Sequence, residues 1–253
     1  MPSFTGISHL LLDIEGTTCP VSFVAEVLFP YASQQLPLYL ERQRHGSDPR
    51  VHALLEDVQN AWRLDGDPAA QSLLKEAAHQ GWQPYTACTA YLQLLITQDR
   101  KLTALKDLQG LIWRGGYAAG ELIAPLYSDV PAALQRWQRA GTVLGVYSSG
   151  SVEAQQLLYR HSIAGDLTSL FSHWFDTQIG PKQAAKSYEQ IARAMQTTPS
   201  SVLFVSDALA ECKAAAAAGL QVIFSSRPGN PEQNPGPFAV VSTYDDLSLS
   251  GCP

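Results

Sequence analysis

Residues 8–18 read Ser8-His9-Leu10-Leu11-Leu12-Asp13-Ile14-Glu15-Gly16-Thr17-Thr18. The first five form a short apolar run without helical spacing, and the run ends on a carboxylate followed by a glycine turn. The stretch therefore predicts a buried β-strand whose C-terminal end carries polar side chains. The same pattern returns downstream. Val143 to Tyr147 predicts a buried strand closed by Ser148-Ser149-Gly150-Ser151, Ser201 to Ser206 a strand ending at Asp207, and Gln221 to Phe224 another. Helices are expected between them: Val130 to Arg139 behind a Ser128-Asp129 cap with Pro131 in its first turn, one from Val152, and Ala208 to Ala218 stopped by Gly219. Strand and helix in alternation predict an α/β fold, a doubly wound parallel sheet with helices on both faces.

Between Val21 and about Leu108 the pattern is helical instead, with Val24, Val27, Leu28 and Tyr31 on one face and Val51, Leu54, Leu55 and Val58 on another. This segment interrupts the sheet directly after its first strand. The expected organisation is a core of residues 1–19 and 109–253 with a helical cap, 20–108, inserted after that strand. Pro228-Gly229-Asn230-Pro231 and Asn234-Pro235-Gly236-Pro237 mark a loop-rich end, with Phe238 to Val241 as a last strand.

The whole chain has 253 residues, 45% of them hydrophobic and 16% charged, which is enough apolar material for a full core and too much for disorder. Lys and Arg number 17 against 23 Asp and Glu, a net charge of −6, so nucleic acid and anionic membrane are not expected partners. A small anionic ligand held by local donors is compatible with that balance. No apolar run reaches the roughly 18 residues of a membrane span and no leader pattern opens the chain, so a cytoplasmic protein is expected. Cys19, Cys88, Cys212 and Cys252 show neither CxxC nor zinc-type spacing and are read as reduced thiols.

Four strand ends carry candidate chemistry. Asp13 is placed to attack phosphorus, because an aspartyl-phosphate divides one difficult displacement into two easier ones. Glu15 would turn back into the same mouth and protonate a leaving oxygen, and Thr17 offers a hydroxyl and an amide. Ser148 and Ser149, at the start of a helix, suit an anion. A lysine in Gly180-Pro181-Lys182-Gln183-Ala184-Ala185-Lys186 would offset repulsion between carboxylate and phosphate. Asp207 could ligate a hard cation, with Glu211 one helical turn later. Each motif also has an ordinary structural reading. Their common placement at the ends of parallel strands, which converge on one crevice, favours a site.

In these motifs the chain resembles the haloacid dehalogenase superfamily of aspartate-nucleophile phosphohydrolases, and within it the enolase-phosphatases of methionine salvage. The resemblance rests on DIEGTT at 13–18, LIWRGGY at 111–117, PLYSDVP at 125–131, VYSSGSVEAQ at 146–155, FDTQIGPK at 175–182, SDALAE at 206–211 and RPGN at 227–230. It implies a small phosphate-ester substrate, 2,3-diketo-5-methylthiopentyl-1-phosphate, enolised and then hydrolysed to an acireductone, and one Mg²⁺ ion per subunit in a monomer. By position it implies Asp13, Glu15 and Lys182 as catalytic residues, Ser148, Ser149 and Lys182 around the substrate phosphate, and Asp13, Glu15 and Asp207 around the metal. Lys182 is preferred to Lys186 because it stands six positions before Tyr188, as the superfamily's lysine does before an aromatic residue. Pro181 replaces the usual glycine, and the fourth motif carries one Asp and a Glu instead of two Asp residues.

No residue declares itself as the base for enolisation; Glu15 is the economical candidate, and His45, His52, His79 and His161 read as surface or core histidines. Phe23, Trp62, Trp82 and Tyr85 read mainly as cap core, with a possible second use in sheltering a methylthio tail. A dehalogenase would leave Asp207 unexplained. A silent scaffold would keep buried like charges for no purpose.

Overall fold

The computed structural model describes residues 3–46, 48–98 and 100–250. They form two compact units, one of residues 3–25 and 122–250, the other Glu26–Glu121.

The first unit is built on a six-stranded sheet of β2 (His9–Leu12), β3 (Val143–Tyr147), β4 (His173–Phe175), β5 (Val202–Ser206), β6 (Gln221–Ser225) and β7 (Ala239–Val241). The spatial order is β4-β3-β2-β5-β6-β7 and every pairing is parallel. A separate parallel pair joins β1 (Ser3–Thr5) to β8 (Ser248–Ser250). Starting at β2 the chain winds outward through β3 and β4, returns to β5, and winds outward the other way. With right-handed crossovers this puts helices on both faces and opens a crevice where the order reverses, beside the C-terminal ends of β2 and β5. The connecting helices are α6 (Val130–Arg139), α7 (Val152–Arg160), α8 (Ala185–Ala194) and α9 (Leu209–Ala217). The central strands are buried on both faces, which is why Leu10, Leu11 and Leu12 run consecutively instead of alternating.

The second unit is helical: α1 (Phe29–Arg44), α2 (Pro49–Arg63), α3 (Pro68–His79), α4 (Pro84–Thr97) and α5 (Thr103–Ala118). The Asp48 carboxylate accepts from Arg50 N–H at the start of α2, and that of Asp67 from Ala70 N–H at the start of α3. Proline opens both helices, where no amide partner is lost. Leu36, Leu40, Val51, Leu55, Val58, Leu92 and Leu108 form the apolar interior. Trp62 stacks on Tyr91 at 4.8 Å and donates its indole N–H to the Ala70 carbonyl. Trp82 and Tyr85 are half-buried. Tyr91 in turn donates to Asp65, which Arg100 meets at 2.7 Å. Burial alone would raise the Asp65 carboxyl, but the amide of Asp67, the Tyr91 hydroxyl and Arg100 together hold it below the usual carboxylate range.

Several expectations change. The face of Val24, Val27, Leu28 and Tyr31 does not form, because Phe23–Leu28 is a π-helical stretch. Its longer period buries Phe23 and Leu28 and exposes Val27. Residues 111–117, with Gly115-Gly116, lie inside α5 and do not return the chain to the sheet. A Cβ on Gly116 would lie 2.6 Å from the Tyr31 hydroxyl, so glycine lets α5 pass under that ring. The two units accordingly divide at Ala25/Glu26 and Glu121/Leu122, against the expected 19/20 and 108/109. Asp129 precedes α6, but its carboxylate makes no cap bond. It pairs instead with Arg227, at 3.0 and 2.8 Å, and accepts from Tyr244 N–H. Arg227 also lies over the rings of Tyr127 and Tyr244, at 4.7 and 4.4 Å.

Cys19, Cys88 and Cys212 are free and buried, and burial pushes each thiol up to about 12; Cys252 lies outside the described residues. Among the described residues no helix is long and apolar enough to cross a membrane.

Candidate active site

The polar ends of β2, β3 and β5 form the site. Asp13 follows β2 and is 5% exposed. One carboxylate oxygen accepts from Ile14 N–H at 2.8 Å and meets Lys182 Nζ at 2.8 Å. The other lies 3.1 Å from the Ser206 hydroxyl at the end of β5. Beyond Asp13 the chain turns so tightly that the Ile14 carbonyl accepts from the amides of Thr17, Thr18 and Cys19. Gly16 makes this possible with φ of +65°. The turn is anchored from outside, since the Gly16 carbonyl accepts from Ser225 and Asn230 and the Thr17 carbonyl from Tyr244. Thr17 itself is fully buried and its amide is spent on Ile14, so the amide it was expected to offer phosphate is not available.

Lys182 reaches Asp13 from the loop between β4 and α8. Gly180 accepts from the Tyr147 hydroxyl, Pro181 from Ser187 and Lys182 itself from Tyr188, so three carbonyls on this short segment are fixed. Its ammonium group contacts two carboxylates, Asp13 at 2.8 Å and Glu211 at 2.7 Å. Burial works against its charge, but the two carboxylates prevail and hold its pKa above the ordinary lysine value. Lys186 is exposed on α8. The structure thus brings Lys182, and not Lys186, to Asp13.

Ser148 is buried at the end of β3, donates its amide to Phe175 and accepts from Gly150 N–H, while Ser149 is exposed. Ser151 caps α7 by accepting from Ala154 N–H. Gln155, which the sequence did not single out, donates to the carbonyls of Gly150 and Phe175 at 2.8 Å each and ties this loop to the end of β4.

Glu15, Asp207 and Glu211 complete a cluster rich in negative charge. Asp207 is 8% exposed, and burial followed by the charge of Asp13 pushes its carboxyl up to about 7. Glu211 is likewise pushed up to about 7, by burial and then Asp13, against the opposing effect of Lys182. Glu15 is raised by burial and by Asp13. The Ser206 hydroxyl lies 3.1 Å from Asp13 and 3.0 Å from Glu211 and has one proton for the two. Lys182 is the cation on Asp13 and Glu211, and four carboxyls share this end of the sheet.

Such a donor set fits a hard divalent ion. Among the described residues no three His, Cys, Asp or Glu side chains converge as a metal cluster. Asp13 and Asp207 follow paired strands, and two carboxylates with carbonyl and water oxygens suit Mg²⁺, which keeps much of its hydration, better than zinc. Of the histidines weighed as bases, His45, His52 and His79 are exposed on the helical unit and His161 ends α7.

The haloacid dehalogenase-like hydrolase family model matches residues 7–219. The chain is 49% identical over 243 residues to enolase-phosphatase E1 of Parasynechococcus marenigrum (strain WH8102), covering 95% of this chain and 98% of that protein. It is 47% identical over 254 residues to the protein of the same name from Synechococcus sp. (strain RCC307), covering 100% and 99%. The solved structure of unknown transcript 4 protein from Saccharomyces cerevisiae is similar at 31% identity with a TM-score of 0.72, over 95% of this chain and 100% of that one. CbbY of Rhodobacter sphaeroides, solved with phosphate, shares the fold at 17% identity and a TM-score of 0.58, over 96% and 97%. Identity of this order over nearly the whole chain shows that it belongs to the enolase-phosphatase E1 family of haloacid dehalogenase-like hydrolases.

Proposed function

We propose that the protein enolises 2,3-diketo-5-methylthiopentyl-1-phosphate and hydrolyses the enol phosphate to 1,2-dihydroxy-3-keto-5-methylthiopentene and phosphate, in methionine salvage. The observation that carries this reading is Asp13 with Lys182 at 2.8 Å, at the crevice where the sheet order reverses, in a chain of this family.

In the hydrolytic half, an Asp13 carboxylate oxygen attacks phosphorus and the phosphorus–oxygen ester bond breaks, leaving an aspartyl-phosphate. Glu15 gives its proton to the departing enol oxygen. Water then attacks the aspartyl-phosphate, Glu15 takes the proton back, and Asp13 and phosphate are released. Lys182 offsets the charge brought together in the attack, and Ser148 and Ser149 hold the phosphate in line. Mg²⁺, held by Asp13, Asp207 and the Glu15 carbonyl, would neutralise phosphate charge. For enolisation Glu15, as the carboxylate, takes the α-proton while the carbonyl oxygen takes one from solvent to become the enol hydroxyl, and the proton now on Glu15 is the one it gives to the departing oxygen. Glu211 positions Lys182 without touching substrate. The helical unit is read as the inserted cap, with no catalytic residue assigned to it.

An anaerobic assay with this substrate, following enol absorbance and phosphate release with and without Mg²⁺, tests the reading. Metal-dependent release preceded by the enol, and abolished in Asp13→Asn, is the expected result. Phosphate without an enol reduces the protein to a simple phosphatase, and inactivity of folded protein refutes the assignment. Glu15→Gln should slow enolisation; unchanged turnover removes Glu15 from that role.

A further inference from the structure

Asn230 lies in the loop after β6 and is 5% exposed. Its amide nitrogen donates to two carbonyls, Gly16 at 2.8 Å and Ser225 at 3.2 Å. Only the nitrogen end can serve two carbonyls, so the orientation of the amide is fixed and Oδ1 points the other way. That oxygen is buried and has no hydrogen-bond partner. A Cβ built on Gly16 would lie 2.9 Å from Asn230 Oδ1 and would collide with the Asp207 carboxylate. Asn230 Oδ1 and Asp207 Oδ2 therefore flank one small space beside the Gly16 backbone. Asn230 Oδ1 can only accept, as does the Asp207 carboxylate once a cation keeps it ionised, and buried acceptors in native proteins are paired. A donor belongs between them.

We propose that Asn230 is a positioning residue of the metal site, its Oδ1 accepting a hydrogen bond from the hydration shell of the Mg²⁺ ion held by Asp207. This rests on the metal assignment made above. Magnesium keeps several waters when protein-bound, and each presents hydrogens that need acceptors. Side chains that orient such a shell commonly change metal affinity about 10–100-fold when removed. The amide has two functions at once: its nitrogen anchors the turn after Asp13, and its oxygen faces the ion.

Calorimetric titration with Mg²⁺ alone, without substrate, tests this on purified full-length protein, with thermal unfolding as the check on folding. Asn230→Ala should bind Mg²⁺ about 10–100-fold more weakly than the wild type. Ser225→Ala removes the other donor to the Gly16 carbonyl but leaves Oδ1 in place, and should bind as the wild type does. Wild-type affinity in Asn230→Ala overturns the proposal. Equal losses in Asn230→Ala and Ser225→Ala overturn it as well, because they assign the effect to the turn. Should Asn230→Ala fail to fold, Asn230→Ser, which also removes Oδ1, is titrated in its place, and wild-type affinity there overturns the proposal. A wild type that does not bind Mg²⁺ at all overturns the metal assignment and this inference together, whereas wild-type binding with unaffected variants overturns this inference alone.

Discussion

Replacing Arg227 with methionine tests how the loop that carries Asn230 is held in place. The guanidinium makes one charge-assisted hydrogen bond to Asp129 at 3.0 Å and a second ion contact with it at 2.8 Å, and donates to the Ser242 carbonyl at 2.8 Å. The two side chains are 3% and 8% exposed, so water does not screen the pair. Methionine can still lie against the rings of Tyr127 and Tyr244, which limits the packing loss. What remains is a buried Asp129 carboxylate with the Tyr244 amide as a donor. Breaking one side of such a pair costs about 3–5 kcal/mol, and protonation of the stranded carboxyl keeps Arg227→Met at about 3 kcal/mol. At this chain length that is a fall in Tm of about 6–12 °C. The double variant Asp129→Leu with Arg227→Met puts apolar groups on both sides and should recover most of the loss. Urea unfolding at pH 7, followed by circular dichroism, measures the wild type and both variants. A single-variant loss below about 1 kcal/mol, or a double variant no more stable than the single, would refute the reasoning.

Three further outcomes follow from the same geometry. Gly16→Ala forces a Cβ into the Asp207 carboxylate at a φ of +65°; displacement of Asp207 by about 1 Å should lower kcat/KM at least about 100-fold in folded protein, as steady-state kinetics will show. Lys182→Met should cost about 100–1,000-fold in kcat, while Lys186→Met, on the exposed face of α8, should leave kcat unchanged; equal losses in the two would end the assignment of the lysine role to Lys182. Asp65 in the helical unit has its folded pKa held below the unfolded value, so its contribution to stability is complete above about pH 4 and is lost as pH falls through the folded value. Wild type should therefore exceed Asp65→Asn in urea unfolding at pH 7 and converge with it toward pH 3, and a gap independent of pH would contradict this.

The sheet was legible where a strand is buried on both faces. Leu10 to Leu12 and Val202 to Val205 are continuous apolar runs because nothing on either side of them meets water. β4 was not legible, because His173, Trp174 and Phe175 form a half-buried edge strand with no such run. Gly115-Gly116 lies inside a helix, and the reason for Gly116 is the Tyr31 ring, 85 positions away in the chain. Site residues were readable one strand end at a time. Their partnerships were not: Asp129 presented itself as a helix cap, and only the fold brings Arg227 to it. Glu211 was placed correctly one turn beyond Asp207, but its contact with Lys182 depends on a loop pinned by Tyr147 and Tyr188. Asn230 was visible as the last residue of the RPGN motif, but nothing in the sequence gave it a role, because its partners Gly16 and Ser225 are brought to it by the fold.

The strand that bears Asp13 has as its two neighbours β3 and β5, and the Ser206 hydroxyl beside Asp13 comes from a residue 193 positions later. During synthesis at about 5–20 residues per second, Asp13 is made about 10–40 s before that partner exists. Until β3 is made the apolar run Leu10–Leu12 has no strand to pair with, and after that its β5 edge stays open until Val202–Ser206 follows. The helices of Glu26–Glu121, whose hydrogen bonds are local, can form meanwhile without it. Assembly of the candidate site is therefore a late event in the biogenesis of this enzyme, and a chain stalled before β5 would carry Asp13, the proposed nucleophile, on a strand with one edge open to chaperones or to self-association.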